Sequence, residues 1–289
     1  MRVSGARTRA PSRSAIVALA ALVAGCAIGP VETASRIDRL VDAAYAQWRD
    51  WGSQRVGVDA DGRPCALMDD GLCLPVDDGC GREMSSRYCA LVNRYWPVVS
   101  HYRHPCDTTD VCEAQRPAGV PARYSEPWSA AFISFLYRQA GFSWRQFVFS
   151  DTHADYVVAV RDGRMRDFEL LAAPFAPRRG DLVCSGRGPD RELSPPQIDR
   201  VAEQASGPGF TRMHCDLVVE VAAQAGRADA IGGNVAQAVS MREIALDPQG
   251  MVHWAPPPEP GWLLGLRLKY APAPGAPTSR TARLDSRTP

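Results

Sequence analysis

The chain has 289 residues, of which 45% are hydrophobic and 22% charged, with 33 basic and 32 acidic side chains. That balance is ordinary for a folded globular protein and carries no basic footprint of the kind nucleic-acid binding requires. The length allows one large domain, or one domain with a small subdomain.

In chain order, Arg2, Arg7, Arg9 and Arg13 come first, then an apolar run over 15–24, then Gly25-Cys26. A basic start, a short apolar core and small residues at the cut are the parts of a secretory signal. The run is about half the ~20 residues that a transmembrane helix needs. Val23-Ala24-Gly25-Cys26 resembles the lipobox of bacterial lipoproteins, so residues 1–25 are expected to be removed and Cys26 to carry the lipid. That removal shifts the formal charge from +1 to −3. Ala27 rather than Asp follows Cys26, which in a Gram-negative cell favours the periplasmic face of the outer membrane. The expected surroundings are therefore the membrane, reached through Cys26, and the peptidoglycan or a wall peptide, with an envelope protein as a further conceivable partner.

Export places the other cysteines in an oxidising compartment. Cys65, Cys73, Cys80, Cys89, Cys106 and Cys112 crowd into one stretch, while Cys184 and Cys215 stand apart. None of the spacings is a C-x-x-C pair, so no metal site and no cofactor is expected. The even count points to disulfides, whose connectivity the sequence does not give.

Helical spacing runs through 33–51, where Ile37, Leu40, Val41, Ala44, Tyr45 and Trp48 recur every three or four positions. Residues 53–82 are rich in Gly, Asp, Pro and Cys and read as a stapled, irregular loop. A second helix is expected over 84–99, then another Cys-containing loop over 100–123. Ser125 has the character of an N-cap, with Glu126 and Pro127 in the first turn of a helix that stops at Gly141. Ser150 repeats the signal for a shorter helix over 151–160. After Arg179-Gly180 the period changes. Asp181 to Cys184 is a short strand, and 213–221 a longer one in which His214 and Asp216 share one face and Cys215 and Leu217 the other. Strands over 228–231, 239–244 and 263–270 complete an antiparallel meander.

Helices followed by an antiparallel sheet make an α+β pattern. The expected division is a signal peptide (1–25), a helical and Cys-rich region (26–123), a principal domain (124–270) with a long Pro/Gly/charged insertion (185–212), and a disordered tail (271–289). Trp48, Trp51 and Trp96 are expected to pack in the core.

Ser129, placed in the first turn of a helix, stands where the dipole and free N–H groups can hold an oxyanion. His214 on a strand could serve as its base, and Asn234 as the group that fixes the tautomer of that histidine. The runs Pro127 to Ser134, Ser150-x-x-His153-x-x-Tyr156, Gly180 to Cys184 with Arg187, His214-Cys215-Asp216 and Ile231 to Val235 together resemble a bacterial family called domain of unknown function 2272. The resemblance extends from the helix with Trp48 and Trp51 to about Tyr270. That family is in turn similar to the NlpC-type and CHAP-type cell-wall amidases and peptidases, which share a papain-like fold. Their Trp-Cys, Gly-Asp-Leu/Val, His-x-x-x-Val and later polar positions fall here on Trp128-Ser129, Gly180 to Val183, His214 to Val218, and Asn234. Ser129 replaces the cysteine.

The resemblance implies a lipid-anchored hydrolase of amide bonds in peptidoglycan or related peptides, with Ser129 attacking, His214 as base and Asn234 orienting it. The alternative is a non-catalytic module that binds peptidoglycan or a partner in the same cleft. Trp128, His153, Arg187 and Asp216 are candidates for contacting substrate, Arg187 through a carboxylate. An exposed, structural or substrate-contacting role suits His153 better than base catalysis. Cys184 and Cys215 would lie on neighbouring strands, as a disulfide or as two buried thiols.

Overall fold

The computed structural model describes residues 30–58, 64–67, 73–75, 83, 86–103, 127–197, 199, 201, 211–255 and 261–269. The signal segment with Cys26, the cysteines Cys80, Cys106 and Cys112, and the tail 271–289 lie outside the described residues. Among the described residues the chain is α+β, with four α-helices and one sheet of nine strands.

Helix α1 (Pro30–Asp50) buries Leu40, Val41 and Ala44 along the stripe that the sequence spacing implies. It ends where Gly52 takes φ 84°, a left-handed conformation that costs glycine little. Helix α2 (Ser86–Tyr95) is shorter than expected, because Pro97 has no N–H to continue the ladder and the chain tightens into a 3₁₀ turn over Trp96–Val98. Helix α3 (Ser129–Gln139) is buried from Ser129 through Tyr137, as befits a central helix whose faces are nearly all apolar. It stops at Gly141, as its sequence implies. Helix α4 (Ala154–Arg161) follows.

The stretch read as an irregular loop over 53–82 contributes three strands instead: β1 (Arg55–Val58), β2 (Pro64–Leu67) and β3 (Cys73–Pro75). Each is too short for alternation to show through the turn-forming residues around it. Strand β4 (Phe168–Ala172) has no counterpart in the sequence reading. The remaining strands are β5 (Leu182–Gly186), β6 (Met213–Ala222), β7 (Arg227–Val235), β8 (Ala238–Ala245) and β9 (Leu264–Leu268). Their order across the sheet is β3-β2-β1-β8-β7-β6-β5-β9-β4. All neighbours are antiparallel except β1 and β8; β5 to β8 form the expected meander, but β9, expected to follow β8, pairs instead with β5 and β4.

The two faces of the sheet carry separate cores. Cys215, Leu217 and Val219 of β6 join the helices in the larger one, with Phe132 of α3. Val183, Val218, Ala230 and Ile244 pack with Phe175, Val252 and Trp262 in the smaller one, which contains no helix residue. Helix α3 rests close on β7 at Gly233, where an added Cβ would lie 2.6 Å from Phe132 Cβ. Cys184 and Cys215 face each other across β5 and β6 and form a disulfide on the helix side. Cys65 and Cys89 each take part in a disulfide as well, not with one another.

The Gly180-Asp181 pair has a structural role. Gly180 holds φ 93° and leaves room for Ile37 of α1, which a Cβ would meet at 2.9 Å. Asp181 accepts the Arg178 N–H and pairs with the Arg267 guanidinium at 2.6 Å, fixing the start of β5 against β9.

Candidate active site

A cavity of about 580 Å³ is lined by Ser129, His153, Arg187, Arg212, His214 and Asn234, with Trp96, Tyr102 and Asp151 among its other walls. Ser129 is the first residue of α3. Its N-cap is Trp128, which makes no side-chain cap bond, so the positive end of the helix is left open at the serine. Ser125 and Glu126, expected to cap this helix, lie outside the described residues, and Pro127 precedes the helix rather than entering it.

The hydrogen-bond partner of Ser129 Oγ is His153 Nε2, at 2.9 Å. The expected partner was His214, and this is a correction. His214 Nε2 is instead 2.7 Å from Asp216 Oδ1. The cause is the period of β6: the unbroken β5–β6 register puts His214 and Asp216 on the side of Val218, away from α3. His153 arrives from the same side as the serine, at the N-cap of α4, and is 3% exposed rather than open to solvent.

Three further expectations change. Asn234 lines the cavity at φ 55° but makes no hydrogen bond to His214 among the described residues; Asp216 holds that ring. Asp216 is wholly buried and is not among the residues that line the cavity. Trp128 is wholly buried too, stacked on Trp51 at 5.3 Å with its Nε1 donating to Glu83, and so packs rather than binds. Arg187 lines the cavity; the residue as a whole is exposed, but its guanidinium is partly desolvated, which lowers its pKa.

The Ser150-x-x-His153-x-x-Tyr156 spacing fastens α4 to α3. Ser150 Oγ accepts from the Thr152 N–H at 3.0 Å and donates to Asp155 Oδ2 at 2.6 Å, organising the turn that carries His153. The Tyr156 hydroxyl donates to the Ala130 carbonyl at 2.7 Å, one residue beyond the serine, and lies 3.0 Å from Ser134 Oγ. These bonds are buried, where they are strongest and where losing one costs most.

Burial, helped by the neighbouring His214, lowers the pKa of His153 well below 6.5. His214 is lowered to about 4, by burial first and then by the Arg187 cation. Burial alone would raise Asp216, but Arg242 and His214 outweigh it and hold the carboxyl well below the usual range. Near neutral pH both imidazoles are therefore uncharged and Asp216 is ionised. The Arg242 guanidinium reaches Asp216 Oδ2 at 2.7 Å and lies over the Trp262 ring, with Cζ 5.3 Å from its centroid. Gly232 leaves space for this carboxylate, since a Cβ there would fall 1.8 Å from Asp216 Oδ1. His153 Nδ1 is buried without a hydrogen-bond partner. Among the described residues no group of three or more His, Cys, Asp or Glu side chains could hold a metal ion.

A family described as an uncharacterized protein conserved in bacteria (DUF2272) matches residues 87–262, well over half of the chain. The chain belongs to that family. No curated protein and no solved structure matches it. The matched span of this DUF2272 protein holds Ser129, His153, His214, Asp216 and Arg242 together with both glycines, Gly232 and Gly233.

Arg242 and Glu83 escaped the sequence reading. The signal for Arg242 was a charged residue two positions before Ile244, on what reads as the apolar side of a strand. Glu83 lies 45 residues before Trp128, and nothing local links the two.

Proposed function

We propose that this DUF2272 protein is an envelope serine hydrolase that cleaves amide bonds in peptidoglycan or a related peptide. The observation that carries the reading is the 2.9 Å contact between Ser129 Oγ and His153 Nε2 at the open N-terminus of a buried helix. A serine hydroxyl must lose its proton as it attacks, and an imidazole that is neutral at the working pH can take it. In the proposed sequence, Ser129 Oγ adds to the amide carbonyl while its proton passes to His153 Nε2. The first-turn N–H groups of α3 face the oxyanion. His153 then gives its proton to the leaving amine, and water hydrolyses the acyl-enzyme by the reverse exchange.

A nucleophile-bearing helix laid over an antiparallel sheet supports a papain-like reading of the fold. The base is drawn here from α4 rather than from the strand, unlike the arrangement that the resemblance implies. Lipid attachment at Cys26 would tether the domain beside the wall, and no helix among the described residues is long and apolar enough to cross a membrane.

The second reading is a module that binds wall peptide without cutting it. It is favoured by one observation: among the described residues no carboxylate meets His153 Nδ1, and none of their side chains selects the tautomer that leaves Nε2 free to accept. Incubating the purified protein with intact sacculi and with muropeptides decides between the two. Hydrolysis predicts released fragments that disappear in Ser129→Ala and in His153→Ala. Saturable binding to sacculi with no fragments from the unaltered protein would overturn it.

A further inference from the structure

Arg187 and Arg212 face each other across the end of the β5–β6 ladder. The register runs Ser185 opposite His214 and Gly186 opposite Met213. The next pair is joined by the Arg187 N–H donating to the Arg212 carbonyl at 2.8 Å. Residues directly opposite in an antiparallel pair project on the same side with Cβ atoms roughly 5 Å apart, and like charges so placed repel. Alternation sets this pair on the side of His214, and both arginines line the cavity that holds Ser129.

Among the described residues, Asp216 favours the Arg187 charge without contacting it. Neither guanidinium has an ion-pair or hydrogen-bond partner among the described residues. Asp216 is committed to His214 and Arg242. Asp190 spends one carboxylate oxygen on the Arg212 backbone N–H at 2.8 Å and makes no ion pair with either side chain. Among the described residues, Asp151 is the one acidic residue in the cavity wall. The Arg187 cation also depresses protonation of both His153 and His214, so its field reaches the dyad.

We infer that Arg187 and Arg212 form an anion subsite of the cavity that takes a carboxylate borne by the same peptide whose amide meets Ser129. The assignment rests on the hydrolase reading for the amide, but not for the carboxylate, which needs only binding. Arginine suits the role because its planar fork matches a carboxylate and stays charged. A ligand carboxylate beside Arg187 would also offset the repulsion it meets from Arg242.

The test uses the full chain carrying Ser129→Ala, with muropeptides whose carboxyls are either free or converted to carboxamides, titrated by calorimetry. The free acids are expected to bind roughly five- to thirtyfold more tightly, the range for one or two partly solvated charge pairs. The preference should fall with salt, vanish in Arg187→Gln/Arg212→Gln, and return largely in Arg187→Lys/Arg212→Lys. Neither arginine belongs to either core, so these changes leave both cores intact. Equal affinity for the two ligands, no binding of the free acid, or a preference that survives the double Gln variant would overturn the assignment. Cleavage by the unaltered protein is scored separately: binding without cleavage removes the hydrolase reading alone, and cleavage without the carboxylate preference removes this one alone.

Discussion

His153 and His214 meet edge to face, their ring centroids 5.4 Å apart, yet only His153 touches Ser129. The two rings come from different elements, the start of α4 and strand β6, and divide the work that a single histidine does in a Ser-His-Asp triad: one contacts the hydroxyl, the other the carboxylate. This division predicts unequal losses. On a muropeptide or a model amide, Ser129→Ala and His153→Gln should each lower kcat/KM by about a thousandfold or more, as losing a nucleophile or its base does. His214→Gln should cost about ten- to a hundredfold, the range for a group that acts through its neighbours. Equal losses in the two histidine variants, with circular dichroism unchanged, would return His214 to the role of base.

The acid side of the pH profile follows from the same burial. A general base works when unprotonated, so activity is present above its pKa and lost as pH falls through it. Because His153 is held well below 6.5, kcat/KM should be flat through pH 6.5 and decline only further into acid. A limb centred near 6.5 in the rate profile would mean that the working histidine is solvated, contrary to its burial.

Stability should show a related but separate dependence. In the unfolded chain both histidines titrate near 6.5, whereas folded His214 titrates at about 4 and His153 well below 6.5. The unfolded state therefore binds more protons as pH falls below 6.5, and stability declines by about 1.4 kcal/mol per pH unit for each histidine. For His214 that loss accumulates between pH 6.5 and about 4. Asp216, whose folded pKa is depressed, adds a loss only in stronger acid, below its unfolded value of 3.8. Denaturant titrations at stepped pH should show this slope, and it should be shallower in His214→Gln.

Much of the architecture was legible because its signals are local. The stripe of α1, the stop at Gly141, and the alternation that sends Cys215 one way and His214 the other are all written within a few residues. That same alternation, followed to its consequence, argues against His214 as the direct partner of Ser129, since α3 packs on the Cys215 side. What stayed hidden was long-range: which loop reaches the serine, and which cation meets Asp216. His153 gave a local signal of its own, the Ser150-x-x-His153-x-x-Tyr156 spacing. Its meaning depends on a contact from Tyr156 back to Ala130, 26 residues away. Strands β1 to β3 were hidden for a different reason, because their pairing, and not their composition, makes them strands.

The two glycines of Ile231-Gly232-Gly233-Asn234 predict a pair of mutational effects with separate readouts. Gly232→Ala drives a methyl into Asp216, and Gly233→Ala drives one into Phe132. Each should destabilise by about 1–3 kcal/mol, the usual cost of overpacking. The Gly232 variant should also lower the pKa of His214 further or loosen its ring, since it displaces the carboxylate that favours the charged imidazole. The Gly233 variant should lift α3 off β7 and disturb Ser129 instead. Proton NMR of the histidine rings would separate the two, and an unperturbed His214 signal in Gly232→Ala would break the link.

Arg242 gives the sharpest stability test, because Asp216 is wholly buried and Arg242 is the cation that contacts it among the described residues, Arg187 acting less strongly. Arg242→Met keeps the contact with Trp262 apolar but strands an ionised carboxylate, which costs about 3–5 kcal/mol when one partner of a buried pair is removed. Two relaxations are open to the protein: Asp216 can take up a proton, or His214 can become charged in its place. Either one raises a pKa, so Arg242→Met should regain part of its stability as pH falls toward 5, where the unaltered protein loses it. The double variant Arg242→Met/Asp216→Asn removes the stranded charge and should be more stable than Arg242→Met alone. Chemical denaturation at pH 7.5 and pH 5 measures all three proteins. A single variant no less stable than the double one would mean that Arg242 does not balance Asp216.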